Sequence, residues 1–159
     1  MRRFFMIGLI AASACSGADQ QTATSECPPG VTILDAWTKP ARAGQPVSAA
    51  YVTICNGGDE DDALIAVGNG PTPVAGALEI HESSMTDGVM SMKQIARAPL
   101  PAGQKVTFKP GGGHIMLFNV ETEIADGAAP TFRLDFENAE DIYWAFEVRE
   151  PDDSAHDHH

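Results

Sequence analysis

Histidine and methionine, whose side chains bind soft metal ions, are crowded into one stretch of this chain. Met85, Met90, Met92 and Met116 all lie between His81 and Met116, and the other methionines, Met1 and Met6, stand at the extreme N-terminus. His81 and His114 belong to the same stretch, while His156, His158 and His159 close the chain. The local order gives these residues a direction. Successive side chains of an extended strand point to opposite faces. In His114-Ile115-Met116-Leu117, Ile115 and Leu117 suit a core, which turns His114 and Met116 together to the other face. Met90 and Met92 share a face by the same rule. Where Leu78 and Ile80 face inward, His81 faces away.

The donor types select a class of ion. Thioether sulfur is soft and uncharged and suits Cu(I), whereas Zn(II) prefers thiolate, imidazole and carboxylate. The zinc motif H-E-x-x-H is absent, because His81-Glu82-Ser83-Ser84-Met85 ends in methionine. No cysteine stands near His114, so a blue-copper Cys–His₂ set cannot be built there. Nucleophile–base sets, phosphate loops and paired catalytic acids are also missing from the sequence, which argues against an enzyme. The competing reading is a structural sandwich whose methionines only pack.

The elements that must carry these residues read as short strands. Val31–Trp37, Val47–Ile54, Ala63–Val67, Ala77–Glu82, Val89–Ile95, Lys105–Phe108, His114–Val120, Thr131–Phe136 and Ile142–Val148 are rich in β-branched or aromatic residues and end at turn residues. Asp87-Gly88 is a hairpin signal between the fourth and fifth. No long helical period or internal repeat interrupts the pattern. Eight or nine such strands predict an all-β antiparallel sandwich or barrel.

The ends of the chain read differently. Arg2-Arg3, an apolar run from Phe4 to Ala12 and then Ala12-Ser13-Ala14 have the layout of a signal peptide over residues 1–14. Ala12-Ser13-Ala14-Cys15 also fits a bacterial lipobox, with Cys15 as the lipidated residue. Residues 15–30 then serve as a tether, residues 31–150 as the folded domain and residues 151–159 as an acidic, His-rich disordered tail. Export to an oxidising compartment leaves Cys27 and Cys55 as an expected disulfide, although sequence does not set their separation. The formal charge of −12 repels nucleic acid and anionic lipid. The tail pairs His156, His158 and His159 with Asp152, Asp153 and Asp157, a donor mixture suited to weak Cu(II) binding.

His81, ten residues, Met92, twenty-one residues, His114, one residue, Met116 is a complete spacing pattern. It resembles the signature of the periplasmic copper chaperones of the PCu(A)C family. Asp35 to Pro40, Ala49 to Ile54 with Asn56-Gly57-Gly58, Glu79 to Glu82, Gly88 to Met92 and Pro110 to Leu117 resemble the same family, so the likeness runs from Val31 to Arg149. Glu82 departs from members that carry Met after the first His. The resemblance implies a cupredoxin-like Greek-key sandwich and a Cu(I) site of His81, Met92, His114 and Met116. It implies Met92 over Met90 as the ligand. Strand alternation, not the resemblance, leaves Met90 beside Met92 as an auxiliary candidate or a hydrophobic rim, and Met85 is a further auxiliary candidate. The resemblance also implies a periplasmic carrier that delivers copper to an acceptor, notably the copper centre of cytochrome c oxidase. The lipobox at Cys15 and the pair Cys27 and Cys55 are not part of the family signature, so the expected membrane anchor, a lipid on Cys15, rests on the lipobox alone. A lipoprotein that sequesters copper without a delivery partner is the alternative.

Overall fold

The structure, a computed structural model, describes residues 27–86 and 88–150. Eleven strands and no helix occur among them, so the all-β expectation holds. They are β1 (Val31–Thr38), β2 (Val47–Asn56), β3 (Asp62–Asn69), β4 (Ala75–Thr86), β5 (Val89–Gln94), β6 (Ala98–Leu100), β7 (Gln104–Thr107), β8 (Gly113–Val120), β9 (Thr131–Phe136), β10 (Ile142–Ala145) and β11 (Glu147–Val148). One sheet runs β11-β1-β2-β8-β4-β5, with β7 also paired to β2. The other runs β10-β9-β3-β6. The two pack as a sandwich over Val52, Ile54, Leu64, Leu100, Ile115, Leu117, Phe132 and Leu134, all essentially inaccessible to solvent. Each comes from the apolar phase of its strand, as alternation requires.

Two features raise the strand count above the eight or nine expected. The run Ile142–Val148 is two strands in different sheets, because Phe146 turns inward between them. Its ring is fully buried, 4.8 Å from the centroid of Phe132, and its N–H donates to Pro130 O. Before it, β10 pairs antiparallel with β9; after it, β11 lies parallel to β1. The second addition is β6, whose brevity and Pro99 conceal it in the sequence. Proline is tolerated because β6 is an edge strand that pairs only with β3.

Asp62, at the start of β3, is buried and holds the β9–β10 turn. Its Oδ1 accepts from the N–H groups of Ala63 (2.7 Å) and Asn138 (3.0 Å), and Oδ2 accepts from Ala139 N–H (2.9 Å). Hydrogen bonds to a charged group are each worth about 1.5–3 kcal/mol, part of which water recovers at a half-open turn. Asp62→Ala is therefore expected to lower stability by about 2–3 kcal/mol, read as a lower urea midpoint at unchanged m-value.

The cysteines meet. Cys27 and Cys55 form a disulfide with Cα atoms 5.3 Å apart. Cys27 is itself buried, so the covalent frame of the domain begins ahead of β1. Residues 1–14, Cys15 and the tail from residue 151 lie outside the described residues.

Candidate metal site

The outer face of the larger sheet collects the soft donors. His81 on β4 lies directly opposite His114 on β8, and Glu79 opposite Met116. Ala49 on β2 lies on the far side of Met116. On the other flank Ser83 faces Met92 and Met85 faces Met90 across the β4–β5 hairpin. Directly opposed residues share a face. His81, His114, Met116, Met92, Met90 and Met85 are therefore all on one side of one sheet, while Ile80 and Ile115 point into the core.

An open groove of about 410 Å³ runs across this face, and Met90, Met92, His114, Met116 and Tyr51 line it. Lys39 is the sole charged residue among those lining the groove. Burial pushes the Tyr51 phenol up from its ordinary value. Tyr51 stacks on Trp37 at 4.3 Å between centroids, which firms the groove floor. His81 is beside the groove and not in its lining. Its ring centroid lies 5.8 Å from that of His114 and 5.9 Å from that of Phe118.

The ligand candidates are held with unequal firmness. β4 pairs with β8 as far as Glu82 opposite Gly113; beyond that point β4 and β5 continue as a two-stranded arm. His81, His114 and Met116 sit in the multi-stranded sheet, with His114 only 7% exposed. Met92 sits on the arm and is 56% exposed, and Met85, Val89 and Met90 are exposed around it. A two-stranded ribbon has little to hold it by itself. Three of the candidate ligands thus sit in the multi-stranded sheet and the fourth on a two-stranded arm.

The turn before β8 sets the ring of His114. Gly111 adopts φ +80°, a conformation that costs residues with a Cβ about 1–2 kcal/mol. A Cβ on Gly113 would come within 3.1 Å of the Phe108 ring. Between them, Gly112 O accepts from Ser83 N–H at 3.1 Å and from His114 Nδ1 at 3.0 Å. A carbonyl only accepts, so Nδ1 carries the proton and Nε2 keeps its lone pair. On β4, His81 Nε2 lies 2.9 Å from Glu79 Oε2.

The family model described as "Putative lipoprotein LpqE-like" matches residues 31–148, most of the chain. The chain belongs to the LpqE-like family. Among curated proteins it is similar to "Putative lipoprotein Lxx21020" of Leifsonia xyli subsp. xyli, 29% identical over 132 residues, which are 82% of this chain and 76% of that one. Among solved structures it is similar to the apo PCuAC domain from PmoF1, with TM-score 0.63 and 24% identity over 76% of this chain and 94% of that domain. The copper-bound PCuAC domain from PmoF2 gives TM-score 0.62 and 23% identity over 76% and 93%. The solution structure of CuI-DR1885 from Deinococcus radiodurans gives 0.60 and 20% over 83% and 86%. At these identities the likeness is one of fold, and this LpqE-like domain has the cupredoxin-like sandwich of the PCuAC domains.

The LpqE-like fold sets the donors singled out in the sequence on one sheet face, with His81 and Met85 outside the groove lining, and with three exceptions. His156, His158 and His159 lie outside the described residues. Three contributors carried no mark of their own in the sequence: Glu79, the Gly112 carbonyl and Tyr51. Glu79 was legible in principle, since a residue two places before His81 on a strand shares its face.

Proposed function

We propose that this LpqE-like domain is an extracytoplasmic Cu(I) carrier whose ligands are His81, Met92, His114 and Met116. The observation that carries the reading is the convergence of two imidazoles and several thioethers on one sheet face beside one open groove. Among the described residues no group of three or more His, Cys, Asp or Glu could hold a metal. Convergent donors exist here only when thioethers are counted, and thioethers favour a soft ion. Cys27 and Cys55 are bridged, so neither offers a competing thiolate.

The groove is much larger than one ion, which leaves room for an acceptor's side chains to approach bound copper. Copper then passes by ligand replacement, beginning at Met92 on the exposed arm and ending at the firmly held histidines. No bond of a substrate is broken, so the protein acts as a carrier and not as an enzyme. Copper-bound relatives of the same fold and the lipoprotein names in the family support the reading. The copper centre of cytochrome c oxidase is the proposed acceptor, and Cys15 the proposed site of a lipid anchor in the periplasm.

The test is a Cu(I) titration under ascorbate against a chromophoric chelator, followed by mixing with an apo copper-centre fragment. One Cu(I) per chain, lost to the fragment on mixing, is expected. Absence of stoichiometric binding would refute the carrier reading. Binding without transfer would point to sequestration.

A further inference from the structure

We propose that Glu79 is a positioning residue for the metal: its carboxylate fixes His81 so that Nδ1, and not Nε2, is offered to copper. The inference rests on the carrier reading above. Glu79 and His81 are two residues apart on β4 and share the outer face, with Glu79 directly opposite Met116. The Glu79 Oε2 to His81 Nε2 distance is 2.9 Å, and both side chains are largely shielded, 33% and 13% exposed. An ionised carboxylate can only accept, so the proton of the pair belongs to Nε2. A neutral imidazole then has its lone pair on Nδ1 alone.

The arrangement on β8 is the reverse. His114 gives its Nδ1 proton to the Gly112 carbonyl and keeps Nε2 for a ligand bond. Two histidines on facing strands thus offer different ring nitrogens, each selected by the partner of the other nitrogen. The partners also differ in charge. The negative charge of the Glu79 carboxylate partly offsets that of a bound monovalent cation.

The experiment compares wild type, Glu79→Gln and Glu79→Leu by long-range ¹H–¹⁵N spectra of the imidazole rings, with and without Cu(I), and by Cu(I) affinity. In the apo wild type a slowly exchanging N–H resonance is expected at His81 Nε2, and on loading the metal-shifted nitrogen is Nδ1. Glu79→Leu removes the acceptor, so the resonance is lost and Cu(I) affinity falls about 10–100-fold, the usual effect of losing such a partner. Glu79→Gln keeps an acceptor oxygen, so it retains the resonance and most of the affinity. A urea midpoint for each variant separates this effect from misfolding. A metal-shifted Nε2 on His81 in the wild type, or wild-type affinity in Glu79→Leu, overturns the proposal. Failure of the carrier reading looks different. His81→Ala and His114→Ala would both leave Cu(I) affinity unchanged, although the wild type shows the apo resonance at His81, and the positioning role would fall with it.

Discussion

A Met92→Ala, Met116→Ala variant is expected to bind Cu(I) at least about 100-fold more weakly than wild type, beyond the 10–100-fold range typical of losing an outer partner of a ligand. Both substitutions remove a donor atom, and alanine supplies none. Stability should change little by comparison. Truncating a fully buried Leu or Met costs about 2–5 kcal/mol, but Met92 is exposed and Met116 only half-buried, so little cavity is created. Loss of affinity with a nearly constant urea midpoint is the combination that distinguishes ligands from packing residues. Equal affinity in the variant and the wild type would remove both methionines from the site. Met90→Ala is the necessary control, since Met90 also lines the groove. Met92 faces Ser83, two residues from His81, whereas Met90 faces Met85, a further pair along the arm. That step adds about 6–7 Å along a strand, so Met90→Ala should cost far less affinity.

The legible and illegible parts of the molecule divide on physical grounds. Strands of five or more residues with clear alternation, such as β8 with Leu117 and β9 with Leu134, announce themselves because one face must be buried. The same alternation placed His114 with Met116 correctly. β6 was hidden because three residues with a central proline show no periodicity, and its existence depends on pairing with β3. The division of Ile142–Val148 depends on where Phe146 finds a cavity, which only the packing of the two sheets decides. The site shows the same split. Donor identity is local chemistry and could be read from residue types. Which strands flank β8, and hence whether His81 and Met92 meet His114, is a long-range pairing for which spacing gave only a family likeness. Glu79 carries no signal of its own, because an acidic residue on a strand usually means solvent, and only the folded structure sets its carboxylate 2.9 Å from His81 Nε2.

Replacing both Cys27 and Cys55 by Ser should lower stability by about 3.5 kcal/mol in the chain-entropy estimate for a closed loop spanning 28 residues. For a domain of this size that corresponds to a melting temperature lower by roughly 14 °C. The loss is global. Cys55 is the penultimate residue of the core strand β2, and β2 bonds to β1, β7 and β8, so it joins the N-terminal half of the larger sheet to the strand bearing His114 and Met116. At 25 °C the serine variant that remains folded should still bind one Cu(I) through imidazole and thioether, because neither cysteine lies in the groove lining. Reduction of the wild type is a different experiment. It frees two thiols, and thiolate outcompetes thioether for a soft ion. Wild type treated with strong thiol-free reductant should therefore lose the strict 1:1 stoichiometry that the serine variant keeps. A serine variant that melts with the wild type would show that the bridge contributes nothing to stability. A reduced wild type that keeps one Cu(I) would show that burial of Cys55 alone denies copper access. The expected pair of results assigns the disulfide two effects at once: it holds β2 in place, and it leaves the His–Met face as the soft site of the folded domain.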